Sequence, residues 1–152
     1  SCGDIAIQLD PQLAPETVNS FVFLARQGYF DGTVVERIMP GFVIQAGDPT
    51  ATSTGGPGYS LPDEFPAEGF AYDRGVVAMA NAGQTGTTGS QFFIALGSTG
   101  LGPDYSSLGT VTDGFDTLDT IAEIPTERNA TGEDSRPLET VYITSVTIDV
   151  GA

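Results

Sequence analysis

The chain has 152 residues, 39% of them hydrophobic, with 20 Asp and Glu against five Arg and no Lys, a formal net charge of -15 and a pI near 4.1. That length and apolar content fit one compact domain spanning residues 1–152, and the charge argues against nucleic acid and anionic membrane surfaces, which are bound through cationic side chains. Without His or Lys the chain can run neither Ser-His-Asp nor Cys-His catalysis, Schiff-base chemistry or a P-loop, and the single Cys2 leaves no intrachain disulfide or Cys-based metal cluster.

Residues 3–10, GDIAIQLD, alternate as a strand does. APETVNSFVFLARQG, residues 14–28, reads as a helix: Pro15 suits its first turn, Glu16 favours its positive end and Gly28 stops it. Val18, Phe21, Val22 and Ala25 give that helix an apolar face. TVVERIMPGFVIQAGD, residues 33–48, reads as two strands joined around Pro40 and Gly41. A loop rich in Gly, Pro, Ser and Thr fills residues 49–70, a length that in a compact domain is functional or wraps the body. Its adjacent acids, Asp63 and Glu64, read as solvated surface.

Strands resume at GVVAMANA (75–82), SQFFIAL (90–96) and SLGTVT (107–112). DGFDTLDTIAEIP then predicts a short helix with Phe115, Leu118, Ile121 and Ala122 turned inward, stopped by Pro125. The hydrophilic TERNATGEDSR, with a formal glycosylation triplet at Asn129, connects to a last strand, TVYITSVTIDV (140–150). There is no internal repeat. Many short strands, frequent Gly turns and only two helices predict a mainly β fold, a closed antiparallel barrel with the helices over its open ends. No apolar run approaches a membrane span and no charged-then-apolar leader precedes the first strand, so the chain reads as soluble. It begins without Met, as a processed form would, which leaves cytoplasm, cell envelope and exterior all open. An acidic, Lys-free composition suits high salt but also suits an ordinary soluble acidic protein.

One cation sits oddly. Arg37 opens RIMPGFVIQAGDP (37–49), an otherwise apolar, strand-like run, in a chain with four other Arg. Together with MANAGQTGTTGSQFFIAL (79–96) and SSLGTVTDGFDTL (106–118), this stretch resembles, in order and spacing, the cyclophilin family of peptidyl-prolyl isomerases, of bacterial-like type, over residues 3–150. The resemblance implies a closed eight-stranded antiparallel barrel with two short capping helices, acting on Xaa-Pro bonds with no cofactor and no metal. The residue inventory agrees. Rotation about an amide breaks no covalent bond and moves no proton, against a barrier of about 18–20 kcal/mol that gives uncatalysed times of about 10–100 s. Millisecond turnover needs roughly 5–6 kcal/mol of preferential transition-state binding.

By the same resemblance Arg37 donates a hydrogen bond to the twisting amide, Gln45 orients its guanidinium, and Asn81 contacts the peptide through its backbone. Phe42, Val43, Phe93, Leu101 and Tyr105 line the pocket for the proline ring, with Ala80, Ala82 and Gln91 along the groove beside it. A two-residue turn would set Arg37 opposite Ile44; a loop of Pro40, Gly41 and Phe42 sets it opposite Gln45, which this reading requires. The chain departs from the family pattern at Glu36 and Tyr105, where His is common, at Val43 for Met, and at Gly100 for a pocket-edge Trp. Glu36 could pair with Arg37 and weaken it as a donor, or point away as strand alternation suggests. The implied partners are proline-containing polypeptides and, weakly because of Gly100, cyclosporin, with the chain a monomer. The alternative is a proline-peptide binding module or chaperone with little turnover.

Overall fold

The computed structural model describes residues 2–151. In chain order these form β1 (Ala6–Leu9), α1 (Pro15–Arg26), β2 (Val35–Met39), β3 (Val43–Ala46), β4 (Val76–Met79), β5 (Phe92–Ala95), β6 (Ser107–Asp113), α2 (Phe115–Ala122), β7 (Thr126–Arg128) and β8 (Asp134–Pro137). β1 to β6 make one antiparallel sheet in the order β1-β6-β4-β5-β3-β2.

Period-two alternation divides this sheet into two faces. Ile38, Ile44, Ala46, Val77, Met79, Phe92 and Ile94 point to one side and join the larger apolar cluster, to which α1 adds Val18, Phe21, Leu24 and Ala25 and α2 adds Leu118 and Ile121. Val43, Val76, Ala78, Phe93 and Ala95 point to the other, where Tyr72 completes a smaller buried cluster. The helices thus follow the predicted apolar faces, with Leu24 buried as well and Phe23 left exposed.

α1 starts at Pro15 and no side chain near its start caps it. The cap arrives from the long loop instead. Glu64 accepts the backbone N–H of Glu16 (3.0 Å) and Thr17 (2.8 Å) and the Thr17 hydroxyl (2.6 Å), a carboxylate at the positive end of the helix. Burial raises its pKa, but these bonds outweigh it and the net shift is downward. Glu64 is therefore a structural acid rather than a solvated one, and Asp63 accepts the N–H of Gly86 at 2.9 Å.

Two expectations are corrected. The mainly β fold with two helices holds, but among the described residues the strands make an open six-stranded sheet and a separate two-stranded sheet of β7 and β8 rather than a closed eight-stranded barrel. The missing closure lies in residues 140–150, where Val141, Ile143, Val146 and Ile148 pack against the core. Among the described residues their backbone-to-backbone bonds reach residues 32–35, through Val35 N–H to Val141 O, Ile143 N–H to Thr33 O and Gly32 N–H to Ile143 O. Beyond that, Val146 N–H turns to the Asp31 carboxylate at 3.1 Å. The segment TERNATGEDSR, read as a connection, instead supplies β7 and β8, which pair Thr126 with Pro137 and Glu127 with Arg136.

No helix is long and apolar enough to cross a membrane among the described residues.

Candidate functional site

Cross-strand register assembles the site. Arg37 on β2 faces Gln45 on β3, Gln45 faces Phe93 on β5, and Phe93 faces Ala78 on β4, so one row crosses four strands. The pairing of Met39 with Val43 leaves Pro40, Gly41 and Phe42 as the loop, and Gly41 has φ +75°, a left-handed conformation that glycine adopts freely. A two-residue turn would have shifted the register by one and turned Gln45 to the opposite face.

The row floors a cavity of about 190 Å³ lined by Arg37, Phe42, Val43, Gln45, Ala80, Asn81, Phe93, Leu101 and Tyr105. Its lining mixes these apolar and aromatic side chains with one guanidinium and two amides. Gln91 and Ala82 lie outside this lining. Gln91 stands behind Gln45, accepting its Nε2–H at 2.9 Å and donating to Gly55 O at 2.9 Å. Ala82 is exposed and its N–H goes to the Thr87 hydroxyl at 2.9 Å. Asn81 uses its side chain as a brace, donating to Asp104 O and accepting from Gly83 N–H, both at 2.9 Å.

Tyr72, which the sequence reading did not single out, supports the aromatic wall. Its hydroxyl donates to Tyr105 O at 2.6 Å and accepts Tyr105 N–H at 3.2 Å. Its ring meets Phe93 and Tyr105 at 6.1 and 6.0 Å between centroids, while Phe93 and Tyr105 meet edge-on at 5.5 Å, a spacing typical of favourable aromatic pairs. Burial pushes the Tyr72 hydroxyl up to about 12, so it stays a donor.

Arg37 is not paired with Glu36. Its Nε donates to Glu133 Oε1 at 2.7 Å and its Nη2 to Oε2 at 2.9 Å, while its bond from Nη1 to Gln45 Oε1 is long, at 3.4 Å. Its guanidinium also stands 6.0 Å from the centre of the Phe42 ring. The bond to Arg37 is the main reason the Glu133 carboxyl falls to about 2, against an opposing push from burial. Glu36 occupies an irregularity in the β2–β3 register between Val35 and Arg37. Both its carboxyl oxygens are buried without a hydrogen-bond partner on another described residue, and burial pushes its pKa up to about 8, against a lowering pull from its own backbone N–H and with the charge of Asp48 adding to the rise. Glu133 carried no signal in the sequence, since it lies among many acids in a hydrophilic segment.

A larger, open depression of about 610 Å³ lies between α1 and residues 59–61. Two of its polar side chains are engaged with each other, Ser20 Oγ and Tyr59 Oη standing 2.6 Å apart.

The cavity thus sets apolar and aromatic side chains beside one guanidinium and two amides, a few polar groups converging on an apolar wall as in small-ligand sites generally. Comparison with known proteins supplies the family. Residues 1–148 match the family model described as cyclophilin type peptidyl-prolyl cis-trans isomerase/CLD. The chain is 41% identical over 162 residues to a probable peptidyl-prolyl cis-trans isomerase B of Mycobacterium tuberculosis, covering 97% of this chain and 52% of that one. It is 42% identical over 166 residues to peptidyl-prolyl cis-trans isomerase B of Streptomyces anulatus, covering 97% and 91%. Among solved structures, a cyclophilin type peptidyl-prolyl cis-trans isomerase of Cryptosporidium parvum, crystallised in the presence of the dipeptide Ala-Pro, superposes with a TM-score of 0.89 at 32% identity, covering 99% and 96% of the two chains. The chain therefore belongs to the cyclophilin type peptidyl-prolyl cis-trans isomerase family. It spans about half the length of the mycobacterial relative.

Proposed function

We propose that this chain, as a single domain, catalyses cis-trans isomerisation of Xaa-Pro peptide bonds in proline-containing polypeptides. The observation that carries this reading is the cavity in which Val43, Phe93, Leu101 and Tyr105 stand beside Arg37. The proline ring would sit among those side chains and Phe42, anchoring one side of the rotating C–N bond. As the C–N bond twists, resonance is lost and the prolyl nitrogen becomes pyramidal and basic, so an N–H of Arg37 aimed there binds the twisted form better than the planar one. Asn81 and Ala80 would hold the peptide backbone along the groove, while Gln45 and Gln91 keep the guanidinium side of the cavity in shape. Ala82, exposed and outside the cavity lining, would meet only the outer part of a longer peptide.

Two-dimensional exchange spectroscopy on a short Ala-Pro peptide tests this. Substoichiometric protein should speed interconversion of the two isomers. Peptide-induced shifts at Phe93 and Tyr105 without faster interconversion would make the chain a binding module instead. Cyclosporin is proposed as a weak ligand, because Gly100 presents open space where an indole would add a donor and an apolar face; inhibition should need a large excess of the drug over protein.

A further inference from the structure

Gln45 alone cannot aim Arg37. At 3.4 Å its bond lies beyond the usual N–H to O range of about 2.7–3.2 Å, and the Phe42 ring contact is at the limit of about 6 Å for a useful cation–π interaction. The contact with suitable geometry is Glu133, which takes the Nε and Nη2 edge of the guanidinium as a two-point fork at 2.7 and 2.9 Å. We infer that Glu133 is the positioning residue for Arg37 in prolyl isomerisation, fixing the plane of the guanidinium so that its remaining N–H groups face the cavity. This inference rests on the isomerase reading above.

Three observations support it. Of the five N–H of a guanidinium, Glu133 takes one on Nε and one on Nη2 and Gln45 takes one on Nη1. What remains is one N–H on each terminal nitrogen, the donors a substrate amide would meet. Second, the backbone that carries this carboxylate is itself held. Glu133 N–H donates to Asn129 Oδ1 at 2.9 Å, Asn129 N–H donates to Glu133 O at 2.8 Å, and Asn129 Nδ2 donates to the buried Ser135 hydroxyl at 3.2 Å. The Asn129 side chain, which opened a formal glycosylation triplet, is thus occupied in building the turn that carries Glu133. Third, the ionic contact joins two separate sheets, since Arg37 lies on β2 and Glu133 immediately precedes β8. A hydrophilic hairpin with little apolar burial of its own is thereby attached to the site.

Glu133→Ala tests the role, with Glu133→Gln as the conservative variant that keeps one acceptor. In peptide exchange assays Glu133→Ala should lower kcat roughly 10- to 100-fold, the cost of a small misplacement of a catalytic group, with KM little changed, and Glu133→Gln should recover part of the loss. In an Arg37→Lys background Glu133→Ala should add nothing further, because its effect runs through the guanidinium. The Arg37 Nε–H resonance should be sharp and slow to exchange with water in the parent protein and lost in Glu133→Ala. Parent-level kcat in a folded Glu133→Ala protein, or an equal further loss in the Arg37→Lys background, would overturn the inference. If the parent itself shows no turnover, the isomerase reading fails on its own. Positioning is then decided by the Nε–H resonance: its loss in Glu133→Ala upholds the contact and its persistence refutes it.

Discussion

Two carboxylates in this protein are pushed in opposite directions by what surrounds them. Glu133 has Arg37 against both oxygens and falls to about 2, whereas Glu36, next in sequence to the same arginine, has no partner on another described residue for either oxygen and rises to about 8. The sign for stability follows from proton counts. Between its ordinary value of 4.5 and about 8, Glu36 holds a proton in the folded chain that it lacks in the unfolded one. Its contribution therefore falls as pH rises through that window and is fully unfavourable above it. Glu36→Gln, a neutral replacement of like shape, should raise the melting temperature at pH 8.5 and change it little at pH 4. Equal shifts at both pH values would show that the carboxyl is solvated.

At the scale of elements, the hairpin of β2 and β3 was legible because Pro40 and Gly41 mark the turn and the apolar alternation fixes the faces. Both helices were legible from the same kind of pattern, with Pro15 and Gly28 as punctuation. The β7–β8 hairpin was not, because Thr126, Glu127, Arg128, Asp134 and Arg136 offer no apolar alternation. It is held by its backbone pairing and the Asn129 turn, with exposed ion pairs of Arg128 with Asp134 and Arg136 with Glu127 on its surface. Residues 140–150 erred the other way: alternation reported which side chains face the core and said nothing of whether their backbone finds a ladder partner. Of the site, the cavity lining was readable by family resemblance, whereas Glu133 and Tyr72 act through contacts across 96 and 33 positions of sequence, and spacing carries no trace of those.

The long loop has its own anchor, Asp48, which is buried and accepts the N–H groups of Thr50, Thr52, Thr54 and Gly55 and the hydroxyls of Thr50 and Thr52. Burial alone would raise its carboxyl, but these bonds outweigh it and hold it at about 2. Gly55 links this cage to the site through its carbonyl, which accepts from Gln91. Asp48→Asn leaves one acceptor oxygen for six donors and should cost about 1.5–3 kcal/mol, the range for hydrogen bonds to charged groups. Urea unfolding measures this, and a modest fall in turnover should accompany it.

For the whole molecule, a net charge of -15 makes the folded state self-repulsive near neutral pH. Molar NaCl shortens the Debye length to about 3 Å, so the melting temperature should climb between low and molar salt; a flat or falling trend would remove self-repulsion as a main term. Acid should help before it harms. Lowering pH from 8 protonates Glu36 and reduces net charge, while the stabilisation from Asp48 and Glu133 is lost only as pH falls below their ordinary values of 3.8 and 4.5 toward about 2. Greatest stability is therefore expected on the acid side of neutrality, between about pH 4.5 and 6, and thermal scans across pH check it.

In the proposed reaction one guanidinium, that of Arg37, is central. Arg37→Lys keeps the positive charge but replaces a planar fork of donors with an ammonium that cannot meet Glu133 at two points and the peptide at once. Exchange spectroscopy on an Ala-Pro peptide, with the melting temperature measured on the same samples, should show the fold retained and most of the turnover gone while peptide binding is nearly kept. Parent-level turnover in a stably folded Arg37→Lys protein would contradict the account and take Arg37 out of the mechanism.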